Sequence, residues 1–230
     1  MLRLVSWFLA VFVLLHLLRL VPAVGRLFDV PFLGFFLAAA ILSFAVARGG
    51  EAMARRAAAA RVRRELGSVD TPHQRGKLGT HLLAAGAARE AEGHLAAAAA
   101  GDADRLEWSY KLGCARLALG RASDAIAPLA FVVARDEEHA FGAAVLRLAQ
   151  AALATGELDL AARELARFER NHGPTPESAW WRSRLAKARG DRAAARAACE
   201  EVLALQARAT RFQKKAGRAY AFKAWFARYA

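Results

Sequence analysis

The apolar positions of this chain follow two regimes. Near the N-terminus they run together. Residues 4–24 are interrupted by only Ser6, His16 and Arg19, and residues 30–47 carry no charge. At a rise of 1.5 Å per residue, about 20 helical residues cross a hydrocarbon core of roughly 30 Å. The two runs predict a transmembrane helical hairpin over residues 1–48, turning at residues 25–29 with Pro22 and Pro31 near the turn's edges. A rival reading makes residues 1–25 a cleaved signal, with Arg3 as its charged start. Ala23-Val24-Gly25 is a weak cleavage site, however, and the second run is then left without a role. Past residue 50 the apolar residues thin out to helical spacing.

In this second regime a unit recurs. Gly86, Gly120, Gly156 and Gly190 are 34, 36 and 34 residues apart. Five residues after each stands Ala91, Ala125, Ala161 or Ala195, and nine after each an apolar Leu95, Leu129, Leu165 or Cys199. Leu78-Gly79 and Leu112-Gly113 precede the first two glycines, and Asp102 and Asp136 close the first two units. Each unit reads as helix, tight turn, helix: residues 112–119 helical, 120–124 turning, 125–134 helical again. Glycine suits the end of a helix because the left-handed backbone costs it least. A small residue lets a partner helix approach closely. Thr71-Pro72 predicts the start of the first repeat helix, with Thr as N-cap and Pro at the first helical position. Residues 49–71 read as a basic juxtamembrane helix and short linker, 72–206 as repeats, and 207–230 as a C-terminal helix.

This pattern resembles the tetratricopeptide repeat (TPR) family, whose period is 34 residues and whose units carry a Leu-Gly pair, a turn Gly and an Ala in the second helix. The resemblance covers residues 72 to about 206. The third unit has Leu148-Ala149 and the fourth Arg182-Ser183 at the Leu-Gly place, and the closing Pro of the family is missing. The resemblance implies an all-α chain: the N-terminal hairpin, a TPR-like α-solenoid of about four helix-turn-helix repeats, and a C-terminal capping helix. In layout alone the plan is similar to HemY-type inner-membrane TPR proteins.

Composition and charge sharpen the picture. Of 230 residues, 58 are Ala, which favours helix over strand. Cys114 and Cys199 are too few for a disulfide-dense scaffold. The net charge of +13 is uneven. Residues 71–206 carry +1 and residues 207–230 carry +7 with no acid, so nucleic acid is an unlikely partner class for the repeats. Arg55, Arg56, Arg61, Arg63 and Arg64 follow the second apolar run and predict contact with an anionic membrane surface. By the positive-inside rule they place both termini in the cytoplasm, in a multi-pass protein of a bacterial inner membrane. Arg19 snorkels to the interface on this reading, or pairs with Asp29.

No nucleotide-binding loop, nucleophile elbow, zinc-helix motif or CxxC pair is present, so no catalytic, metal or cofactor site is expected. The TPR resemblance implies instead a groove lined by the first helix of each repeat. By position that groove holds Glu107, Tyr110, Cys114 and Leu117, then Leu146, Gln150 and Leu153, then Glu177, Trp180, Arg184 and Lys187. Tyr110, Gln150, Trp180, Arg184 and Lys187 are the expected protein-binding residues, with the two aromatics as anchors or as packing between repeats. In the last segment Phe222, Trp225, Phe226 and Tyr229 form one stripe at helical spacing. That stripe caps the array, or meets a membrane or partner. The function expected is a non-enzymatic membrane-anchored scaffold for another protein. The alternative is an assembly subunit of a membrane complex, whose hairpin packs against partner spans through Gly34 and Ala38 to Ala40.

Overall fold

A computed structural model of the chain describes residues 33–66 and 71–228. The elements among them are all α-helices: α1 Leu33–Leu66, α2 Pro72–Ala84, α3 Ala88–Gly101, α4 Leu106–Ala118, α5 Ala122–Arg135, α6 Ala143–Thr155, α7 Leu158–His172, α8 Pro176–Ala188, α9 Arg192–Arg208 and α10 Arg211–Ala227. The chain divides into two compact units, Met1–Ala58 and Ala59–Ala230, so the boundary falls inside α1.

In the first unit the run over residues 4–24, the turn and residues 30–32 lie outside the described residues. From Leu33 the helix stays uncharged up to Ala47, about 22 Å of rise against the roughly 30 Å of a hydrocarbon core. Among the described residues no helix is long and apolar enough to cross a membrane. The described part of the second run and the basic stretch after it form one helix, α1. Gly49 and Gly50 sit inside α1 with nothing near the place a Cβ would take. Two glycines lower helix propensity by about 2 kcal/mol in total, and the strong helix formers on either side carry the helix across them.

The second unit is built by pairing: α2 with α3, α4 with α5, α6 with α7 and α8 with α9, with α10 packed on α8 and α9. Its chemistry follows the repeat. Gly86, Gly120, Gly156 and Gly190 all have φ between 75° and 84°, the left-handed turn that joins the helices of a pair. Ala91, Ala125 and Ala161 are fully buried where the second helix meets the first, whereas Ala195 is only half-buried. A Cβ on Gly79 would lie 2.6 Å from Leu95 Cγ, and one on Gly113 2.5 Å from Leu129 Cγ. The Leu-Gly pair and the apolar residue nine past the turn are thus two halves of one contact. In the third unit Ala149 and Leu165 occupy these places, both buried. In the fourth, Ser183 is larger than glycine and its counterpart Cys199 smaller than leucine, so the pair keeps a similar summed volume.

Local chemistry sets the helix starts. The Thr71 hydroxyl accepts from the Gln74 amide at 3.3 Å, with Pro72 at the first position. Thr175-Pro176 repeats the arrangement at α8, and Thr210 with Gln213 forms a capping box at α10. Each such cap is worth about 1 kcal/mol. Pro128 lies inside α5 and has no N–H for the Asp124 carbonyl. Arg116 Nη1 donates to that carbonyl at 2.8 Å, while its Nε reaches Glu92 at 3.1 Å.

The C-terminal helix closes the array, but through a face other than the aromatic stripe. Gly217 and Ala224 are buried and Tyr220, Ala221 and Ala227 partly so, against Ala179, Trp180, Cys199 and Val202. A Cβ on Gly217 would collide with Gln206 and stand 3.2 Å from Pro176. Close approach selects this small-residue face, and Phe222, Trp225 and Phe226 stay 67%, 47% and 55% exposed. Tyr229 lies outside the described residues.

Candidate protein-binding groove

The first helices α2, α4, α6, α8 and α10 are neighbours in series, each touching the next. A polar line runs across four of them and centres on Arg147, the only charged residue of the largely apolar α6. Its guanidinium bonds Glu177 of α8 at 2.9 Å and Gln150 of its own helix at 2.8 Å. Burial opposes the charge of Arg147, but Glu177, with Tyr220, Cys114 and Tyr110, more than restores it and holds the guanidinium pKa above its ordinary value. Tyr220 of α10 lies close enough to feel both charges of the pair, and burial followed by the Glu177 charge pushes its phenol up to about 12. Burial also raises Tyr110, and it raises the Cys114 thiol although Arg147 pulls the other way. Cys114 is therefore a neutral thiol and not an activated nucleophile.

Beside this line lies a cleft of about 530 Å³ between α6, α7, α8, α9 and α10. Leu146, Phe168, Leu205 and Pro176 make its walls apolar, and Glu177 and Tyr220 bring the polar line to its edge. Phe141 stands at the rim, 92% exposed. Its backbone is unusual: Ala140, Phe141 and Gly142 have φ of 54°, 58° and 73°, three left-handed residues in succession. Only the glycine adopts that region without cost, the others losing roughly 1–2 kcal/mol each. Contacts on both sides hold the turn. His139 lies 3.3 Å from Glu107 and 3.6 Å from Asp136, and Glu138 lies 3.4 Å from His172. This turn occupies the two extra residues of the 36-residue spacing.

The expected binding residues divide between places. Tyr110 and Gln150, with Cys114 and Glu177, meet around Arg147. The Tyr110 ring is only 8% exposed and belongs to the core of the middle repeats. Trp180 is likewise 8% exposed, packed under α10 with Lys223 6.0 Å above its ring. Neither aromatic is an exposed anchor. Both fill the joints between successive first helices, where an aromatic ring buries the most apolar area. Arg184 is exposed, 6.0 Å from the Trp180 ring, and Lys187 is exposed at the far end of α8. Of the five arginines expected at a membrane surface, Arg61, Arg63 and Arg64 are exposed on α1. Arg63 Nε donates to Glu90 of α3 at 2.6 Å, and that guanidinium lowers the Glu90 pKa. The side chains of Arg55 and Arg56 lie outside the described residues.

Sequence reasoning missed Arg147, Tyr220 and Phe141. A single charge within an apolar helix was the available signal for Arg147, since a charge there needs a partner.

Antiparallel-joined helix pairs, left-handed glycines recurring every 34 to 36 residues and serial contact of the first helices define an α-solenoid with a TPR-like fold. The chain is similar to a crystal structure described as a kinesin light chain from Podosopora anserina with nearly identical TPR-like repeats. Identity is 23% and the TM-score 0.52, over 70% of this chain and 89% of that one. The likeness shows the fold. No protein-family model and no curated protein matches the chain.

Proposed function

We propose that this protein is a non-enzymatic scaffold, anchored at the cytoplasmic face of a bacterial inner membrane, that holds another protein through its repeats. The observation that carries the reading is the apolar cleft of about 530 Å³ with the exposed, strained Phe141 at its rim. A large apolar side chain held outward at a backbone cost is a feature that folding alone does not favour. A partner that inserts an apolar side chain into the cleft and covers Phe141 would bury both surfaces. Anchoring is supported by the uncharged run ending at Ala47 and the arginines that follow it.

Site-directed photo-crosslinking in cells tests the scaffold. A photoreactive residue at Phe141 or Gln150 is expected to capture one defined protein, and the same residue at the exposed Ala127 of α5 to capture none. Phe141→Ala should abolish that capture with the repeats still folded. Equal labelling from both positions, or capture undisturbed by Phe141→Ala, overturns the reading.

A further inference from the structure

The outer face of α10 is left over by the cap. Arg211, Lys215, Arg218, Phe222, Trp225 and Phe226 follow one another in steps of four, three, four and three to four residues, so they share one stripe of the helix. It is the stripe turned away from Gly217 and Ala224, and every described side chain in it is exposed. Its first half is basic and its second half aromatic, along a helix of about 25 Å. The three rings pack on one another, Phe226 standing edge-on to Phe222 at 4.9 Å and to Trp225 at 4.6 Å. They form a small contiguous apolar ridge. No acidic residue occurs from 207 to 230.

We propose that this stripe docks on the surface of an anionic bilayer. The charge is complementary to phosphate headgroups, at about 1 kcal/mol for each basic residue near the surface. Tryptophan and phenylalanine beside lysine and arginine are the side chains that rest at the boundary between headgroups and acyl chains. A fluid surface also takes up a lengthwise division, with the basic half at the headgroups and the aromatic ridge dipping below them. The inference deepens the membrane placement proposed above but does not rest on the N-terminal runs.

The test uses the full-length chain on vesicles of phosphatidylcholine alone or mixed with phosphatidylglycerol, both carrying brominated acyl chains. The emission of Trp225 is obtained as the difference between the wild type and Trp225→Phe. Quenching of Trp225 on the anionic vesicles and not on the neutral ones is expected. Lys215→Ala with Arg218→Ala should weaken that docking by about thirty-fold, two basic residues' worth. Equal quenching on both vesicles, no quenching on either, quenching unchanged in the double variant, or shielding of Trp225 only when another protein is added overturns the proposal. A carbonate wash separates it from anchoring. A chain retained by vesicles with Trp225 unquenched defeats the α10 inference alone, and a chain released by carbonate yet quenched on anionic lipid defeats the anchor alone.

Discussion

Arg116 supplies the hydrogen bond that Pro128 withholds. Proline leaves the Asp124 carbonyl of α5 without its helical donor, and the Arg116 guanidinium from α4 donates to it at 2.8 Å. The same side chain bonds Glu92 of α3, so it ties the second repeat to the first. Arg116→Ala is expected to cost about 1–2 kcal/mol in urea unfolding. In a Pro128→Ala background, where an amide serves Asp124 again, the cost should fall by about 1 kcal/mol. A cycle that shows no coupling would mean that Arg116 acts through Glu92 only.

The contact between Gly113 and Leu129 predicts a second coupling. A methyl group placed 2.5 Å from Leu129 Cγ forces the two helices apart. Gly113→Ala should destabilise the protein by about 1–3 kcal/mol. Leu129→Ala alone opens a cavity, at about 2–5 kcal/mol. Because the new methyl partly fills that cavity, the double variant should lose at least about 1 kcal/mol less than the two single losses together. Additive losses in thermal or urea unfolding would contradict the shared contact.

Two exposed glycines should respond to alanine with opposite signs. Gly120 has φ of +75° and nothing near a built Cβ, so the whole effect of Gly120→Ala is backbone strain, about 1 kcal/mol of destabilisation. Gly93 sits within α3, also with open space around it, and Gly93→Ala should stabilise by about 0.5–1 kcal/mol. A shift of melting temperature in the same direction for both would refute the assignment.

Tyr220 carries an alkaline signature. Its phenol holds its proton up to about 12 in the fold, above the ordinary value of 10. Between those values the folded chain keeps a proton that the unfolded chain releases. The stability from this group is therefore complete below pH 10 and is lost as pH rises toward 12. Absorbance at the phenolate band should show a late ionisation near 12 that Tyr220→Phe removes. That variant should also be less sensitive to pH in unfolding measured between 10 and 12.

The sequence by itself determined the repeat. The glycine at each turn has to enter a left-handed conformation that other residues resist, and Gly79 and Gly113 have to admit a leucine. Such requirements act within one helical pair, so they leave a period that can be read. The start at Thr71 is legible for the same local reason. Only the tertiary structure decided the joints between repeats. Tyr110, Arg147, Glu177 and Tyr220 are scattered over 110 residues and acquire meaning when successive first helices stack. The last helix shows the difference most plainly. Its sequence holds an aromatic stripe and a small-residue stripe, both at helical spacing. Helical periodicity cannot rank them, because the choice depends on how near the surface made by Pro176 and Gln206 allows a backbone to come. That surface admits Gly217, and the aromatic residues are left facing outward.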